Sequence, residues 1–361
     1  FHIADATERF PGRSQRQGTG GLLARVLPTA VLLGIAFAFF RPVNYAVEKS
    51  ISAGLELLNR PFGMGWSRGT GSRLGLASPP IGFGEDVRPL LVIRAKAMPG
   101  YLRESVYTRY DNGSWIREEE DKLVPSEKLT PRHNTDDVML WFPFTTKTNS
   151  EPPAALWDVQ ILRPWQVPGI CLPGSAREIG VDDSGEPAFS LRADGILTSS
   201  SDHSPQLYTI GIAAGEGLKA WPYGSPGTNN LAIPSSLAPA VSNWNTRCGL
   251  KPGLAAVEAA AKAITYFNSA FTYKLGTDYR HGTRHDPLEF FMENRKGHCT
   301  LFASATALML RQCGIPTRVV SGFYCSEQHP WTGEWMARGR DGHAWCEAYD
   351  KMAGHWILVD T

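Results

Sequence analysis

The chain has almost no net charge: 36 Lys and Arg stand against 35 Asp and Glu, a formal +1 over 361 residues. No bulk field therefore draws it toward nucleic acid. Cysteine is thin at six residues, too sparse for a disulfide scaffold, and no C-x-x-C pair marks a zinc knuckle. No internal repeat is present. An initiator methionine is also lacking. The sequence opens at Phe1 and stops at Thr361, directly after an acidic residue, so the expectation is a piece of a longer protein. Against these absences stand eleven Trp and 26 Pro, which favour a β-rich, loop-rich portion over a helical bundle. The length suffices for two or three domains, each burying its own core.

One long apolar run exists. Val26 to Phe40 is uncharged, roughly 22 Å of helix at ~1.5 Å per residue, against a hydrocarbon core of ~30 Å. Counting from Leu22 gives close to 28 Å, with Arg25 able to snorkel to the interface. No A-x-A-like cleavage site follows promptly, which argues against a signal peptide; a buried core helix is the alternative to a membrane span. The expected order is a flexible basic segment over 1–20, a transmembrane helix with a flanking helix over 21–60, and a Gly/Ser/Pro-rich linker over 61–84. Arg9, Arg13 and Arg16 precede the span, so the positive-inside rule leaves everything after Arg41 outside the cytoplasm.

Beyond the linker the apolar period shifts toward two. "PLLVIRAKA", "ALWDVQILRP", "AFSLRADGILTS" and "PQLYTIGIAA" read as strands, and "RESVYTRYDNGSWIRE" reads as a hairpin about Asn112-Gly113, the pair suited to a type I′ turn. The expectation is a sandwich-like β-rich domain over 85–220, a second linker over 221–251, and a further domain over 252–361. The latter opens with the Ala-rich helix "GLAAVEAAAKAITYFNSAFTY".

In that last domain, "GHCTLFASATALMLRQCGIP" is apolar on nearly every face from Thr300 to Gln312, as a fully buried helix is. Gly314 suits the position after its end, and Pro316 prevents continuation. Cys299 stands at its head, where unpaired N–H groups and the macrodipole favour an anion and lower a thiol pKa. Taken alone, such a cysteine is more often a small buried hydrophobe. Two later segments change the balance. "DGHAWCEAYD" and "HWILVDT" read as strands joined by a short turn, and a turn centred between Lys351 and Met352 sets His343 directly opposite Asp360. A nucleophile, a base and an orienting carboxylate then share one end of a sheet.

These motifs resemble the transglutaminase-like superfamily of papain-like cysteine enzymes, over roughly residues 252–361. The carriers are G-x-C at Gly297–Cys299, "FASATALMLRQCGIPTRVVSGF", "GHAW" with His343, and "WILVDT" with Asp360. The N-terminal span and "YLRESVYTRYDNGSW" also resemble bacterial membrane-anchored members. The resemblance implies an α+β fold with a papain/transglutaminase-like core, a buried helix carrying Cys against an antiparallel sheet. It implies Cys299 as nucleophile, His343 as general base and acid, and Asp360 as orienter. The chemistry implied is acyl transfer through a thioester on protein or peptide amides, with water (peptidase, amidase or deamidase) or an amine (crosslinking) as the acceptor, and with no cofactor and no metal. It further implies a bacterial inner-membrane protein whose catalytic domain is extracytoplasmic and which does not bind nucleic acid. Two positions depart from the pattern. Many members carry an acidic residue where Thr300 stands, and a Pro usually follows the aspartate where Thr361 stands. The only oxyanion donor placed from sequence is the Cys299 N–H.

The same residues admit other arrangements. A zinc set of His343, Cys346, Cys313 and Cys325 fails because residues 343 and 346 point to opposite sides of a strand. Cys313 and Cys325 can be imagined as a disulfide, though buried thiols fit better. His298 reads as a solvated loop residue or a substrate contact. A membrane-tethered peptide-binding scaffold is the non-catalytic alternative, although binding alone requires no such trio.

Overall fold

The computed structural model describes residues 73–76, 89–117, 124–125, 139–144, 153–162, 170–182, 189–192, 194–199, 207–213, 220–221, 224–275, 279 and 285–361. The expected flexible segment, membrane span and flanking helix lie outside the described residues. Among those described, no helix is long and apolar enough to cross a membrane.

Two large antiparallel sheets and a helical layer form the bulk of the α+β architecture, with three smaller sheets among the described residues. The first sheet has six strands, in the order 220–221, 355–359, 342–350, 317–325, 100–107, 172–173. The second has seven, in the order 327–328, 335–338, 89–94, 155–161, 207–212, 176–182, 139–143. Eight elements carry the argument: β1 (Gly100–Tyr107), α1 (Ala238–Cys248), α2 (Ala256–Ala270), α3 (Pro287–Asn294), α4 (Cys299–Gln312), β2 (Thr317–Cys325), β3 (Gly342–Asp350) and β4 (His355–Val359).

The hairpin at Asn112-Gly113 has both central residues at positive φ, 43° and 75°, as a type I′ turn requires. One of its arms, Ser114–Ile116, pairs with Arg73–Gly75, a strand inside the segment expected to be a linker. The second expected linker also contains structure. α1 buries Val241 and Trp244, and its Asn245 Nδ2 donates to the Met309 carbonyl of α4 at 2.9 Å. Its Pro-, Ser- and Asn-rich sequence masks a helix whose stability comes from that packing and not from propensity.

The boundary drawn between 85–220 and 252–361 orders the chain, but both sheets cross it. β1, from the first segment, pairs along β2, from the second. Trp335–Arg338 in turn pairs with Pro89–Arg94. A buried ion cluster fixes the crossing. Arg103 Nε and Arg318 Nε reach the two carboxylate oxygens of Glu347 at 2.8 and 2.7 Å, and both guanidiniums also donate to the Asp194 carbonyl. Burial opposes the Glu347 charge, and the two guanidiniums outweigh it and hold the carboxyl below its usual range. Removing one partner from such a cluster costs about 3–5 kcal/mol.

α4 is buried from Cys299 through Arg311, between the six-stranded sheet and helices α1 to α3. Rings of Phe267, Phe271, Phe291 and Phe302 lock α2, α3 and the first turn of α4 together, with centroids 4.8–6.1 Å apart. The opposite face of the sheet packs on the seven-stranded sheet through Leu102, Phe323 and Trp356 against Leu91, Ile93 and Ile210.

The turn between β3 and β4 corrects the register expected from sequence. It spans four residues, Lys351–Gly354, so that Asp350 pairs with His355 and Cys346 with Val359. Asp360 therefore comes level with Trp345, two residues from the position opposite His343. The Asp350 carboxylate sets this turn by accepting the N–H groups of Met352 and Ala353, and Gly354 closes it at φ 72°. A two-residue displacement preserves the side-chain face, so His343 and Asp360 remain diagonal neighbours.

Candidate active site

Asp286 caps α3 by accepting the Leu288 N–H at 2.8 Å, with Glu289 completing a capping box. The helix ends at Arg295 in the left-handed region (φ 56°), and Lys296–Gly297 then runs parallel to Thr272–Tyr273. The chain enters α4 at His298, whose side chain makes no capping bond. Gly297 is needed at this threshold: a Cβ there would lie 2.7 Å from Leu301 and 2.8 Å from Phe291. Cys299 thus becomes the first helical residue, 3% exposed, with its backbone N–H in the unpaired first turn.

His343 is the second residue of β3, opposite Gly322 of β2. A side chain at residue 322 would run into the Leu102 carbonyl of β1, so glycine is required where the three strands meet. His343 Nε2 lies 2.9 Å from Asp360 Oδ2. That bond leaves Nδ1 as the nitrogen turned to the thiol. Asp360 is the first residue past β4, and its neighbour Thr361 is tied to α4 by a 3.0 Å bond between the hydroxyls of Thr361 and Thr306. The structure thus brings together all three residues singled out in the sequence.

The electrostatics fit a thiolate–imidazolium pair. Burial, the largest influence on Cys299, opposes its charge; the two histidines against it prevail and bring the thiol down to about 6. Burial likewise opposes a charged His343, but the Asp360 carboxylate and the thiol carry the imidazole up to about 10. His298 is fully buried beside the sulfur, which corrects its reading as a solvated loop residue. Although it helps lower the thiol, neither of its ring nitrogens has a partner at hydrogen-bond geometry. Only His343 is held by a carboxylate.

Two tyrosines went unnoticed in the sequence. Tyr273 is half exposed and close enough to Cys299 to feel its thiolate; burial and that charge push its hydroxyl well above its ordinary range. Only its place beside Gly297 in the parallel pair reveals it, and a two-residue strand carries no periodic signal. Tyr101, on β1, donates to Asp360 Oδ2 at 2.6 Å. All six cysteines are free, with Cys313 and Cys346 in the helix-side core and Cys325 in the core between the sheets, so the imagined Cys313–Cys325 pair does not form.

The sequence pattern of the Transglutaminase-like superfamily matches residues 245–361. That segment belongs to the transglutaminase-like superfamily. A protein-glutamine gamma-glutamyltransferase from Pseudomonas aeruginosa is 38% identical over 72 residues, 20% of this chain and 11% of that protein. The chain therefore matches only a small part of that relative's length. Crystal structures of the periplasmic domain of TgpA from Pseudomonas aeruginosa, one of them bound to ethylmercury, superpose with TM-scores of 0.55 and 0.53 at 21% identity. These matches cover 77% and 80% of this chain and 90% and 92% of the TgpA domain. At that identity the likeness concerns the fold. Its coverage exceeds the transglutaminase-like segment, so the shared fold takes in β-rich strands before residue 245.

Proposed function

We propose that the chain performs acyl transfer through a thioester at Cys299, with glutamine side chains of proteins or peptides as the acyl donors. The observation that carries this reading is the constellation of a depressed thiol at a helix head, an imidazole beside it and a carboxylate 2.9 Å behind that imidazole. The glutamine specificity is supported by the name of the P. aeruginosa relative. The Cys299 thiolate attacks the amide carbon, and negative charge moves to the carbonyl oxygen. His343 gives its Nδ1 proton to the leaving nitrogen, ammonia departs, and a thioester remains. An amine or water then loses a proton to His343, attacks the thioester and frees the thiolate.

The developing oxyanion needs two donors. The Cys299 N–H is one, and we assign the hydroxyl of Tyr273, the neighbour whose titration feels the thiolate, as the second. Tyr273→Phe is expected to lower kcat by about 10²-fold with KM little changed, because the donor acts on charge present only in the transition state. Equal loss in KM alone would make Tyr273 a substrate contact.

Mass spectrometry of a glutamine peptide, with and without a primary amine, tests the reaction. Loss of ammonia with gain of the amine marks transamidation, and gain of water marks deamidation. An unchanged peptide that nevertheless binds would favour the scaffold reading. We further propose that the described unit lies outside the cytoplasm, tethered by the Leu22–Phe40 span; the periplasmic location of the TgpA domain supports this. Protease added to spheroplasts is then expected to degrade it. Protection lost only on lysis would overturn that orientation.

A further inference from the structure

Asp360 Oδ2 accepts two hydrogen bonds, from His343 Nε2 at 2.9 Å and from the Tyr101 hydroxyl at 2.6 Å. An sp² oxygen offers two lone pairs, so this one oxygen is fully engaged. We infer that Tyr101, from a strand outside the transglutaminase-like segment, is a positioning residue of the acyl-transfer site, fixing the carboxylate oxygen that orients His343. The inference rests on the acyl-transfer reading above.

Asp360 lies one residue past β4, outside the ladder, so strand pairing does not hold its carboxylate. Tyr101 is much more firmly placed. It pairs with Tyr324 in the β1–β2 ladder. Its ring rests 4.8 Å from that of Tyr324 and 5.1 Å, edge-on, from that of the buried Trp345. Trp345 in turn stacks on His343 at 26°. A carboxylate bonded to both Tyr101 and His343 through one oxygen cannot rotate without losing both. The phenol also draws charge from Oδ2 and so restrains its pull on the imidazolium. Burial and the neighbouring Asp360 charge push Tyr101 far above its ordinary range, so it remains a donor at every working pH.

The groups facing His343 are Tyr101 from β1, Tyr324 from β2, Cys299 from α4 with His298 before it, Asp360 after β4, and Tyr273 across the thiol. Tyr101→Phe removes one oxygen and leaves the ring. With that donor gone, charge concentrates on the bond to His343. The imidazolium then persists to higher pH while the carboxylate gains freedom to turn.

The test follows the alkylation of Cys299 by iodoacetamide as a function of pH, with kcat on a glutamine peptide measured in parallel. In Tyr101→Phe the upper inflection, where His343 loses its proton, is expected to rise by about half to one pH unit. At the same time kcat should fall about 3–10-fold with KM unchanged. Tyr324→Phe serves as control for the inflection, since Tyr324 borders the same imidazole without sharing Asp360. A Tyr101→Phe profile that coincides with wild type, or one displaced downward, overturns the inference and leaves the acyl-transfer reading standing. A wild-type Cys299 that shows no thiolate reactivity near neutral pH overturns both. A second measurement needs no substitution: in ¹³C-tyrosine-labelled wild type, the Tyr101 Cζ resonance is expected to move as His343 titrates. A resonance indifferent to that titration also overturns the inference.

Discussion

Cys299→Ala is expected to abolish thioester formation and turnover on a glutamine peptide, a loss of at least about 10³-fold, while the protein still folds. The side chain is buried at 3% exposure, but it is small and sits at the helix head, clear of the aromatic cluster that holds α4. Losing one sulfur atom there costs about 1 kcal/mol or less. The comparison is Cys313→Ala at the other end of the same helix. Cys313 packs in the helix-side core and accepts a weak bond from Asn245 Nδ2 at 3.5 Å, far from the imidazole, so its loss is expected to leave kcat within about twofold. Inactive Cys313→Ala beside active Cys299→Ala would mean that the nucleophile is wrongly assigned.

The second large effect is expected of Asp360→Asn. The amide keeps the shape of the carboxylate but removes the charge that raises His343, and it can present N–H where the imidazole also needs to donate. Turnover should fall by about 10²–10⁴-fold, the range seen when an orienting carboxylate is neutralised. The pH profile supplies the sign. His343 is raised above its ordinary value, so the stabilisation of its charged form is fully present below about 6.5 and is lost as pH rises through about 10. Without Asp360 the imidazole titrates closer to its ordinary value, and the upper limb of the profile moves down. This is opposite to the movement expected of Tyr101→Phe, so the two variants separate loss of charge from loss of restraint. An Asp360→Asn enzyme with wild-type turnover would sink the role given to the carboxylate.

Much of this site could be read from residue order because its parts are local signals. A cysteine before an all-apolar helix, a Gly-x-Pro stop, and a histidine and an aspartate at the ends of adjacent strands each leave a short pattern. The register was missed by two residues because the turn is governed by the Asp350 side chain and by Gly354, whereas hairpin centring considers length alone. The face survived because any even displacement keeps it. Tyr101, Tyr273 and the burial of His298 were not legible for a different reason. Each depends on which distant strand or segment lies alongside, and sequence periodicity carries no information about that. The same holds for α1, whose polar composition concealed a helix completed by contact with α4.

The crossing of β1 into the catalytic sheet has a consequence for the order in which the protein can be made. Val106 pairs with Val320, and Tyr101 reaches a carboxylate 259 residues further along the chain. A chain emerging from the ribosome or a translocation pore therefore holds β1 with a bare edge until more than two hundred further residues have followed. Such contacts contribute nothing until the loop between them closes, which makes folding slow and leaves an unpaired strand open to wrong partners meanwhile. The paired guanidiniums of Arg103 and Arg318 find their shared carboxylate only at Glu347, equally late. The thiol of Cys299 emerges before His343 and Asp360 exist to charge it, so the nascent protein carries an ordinary cysteine and gains a reactive one only when the last strand is in place.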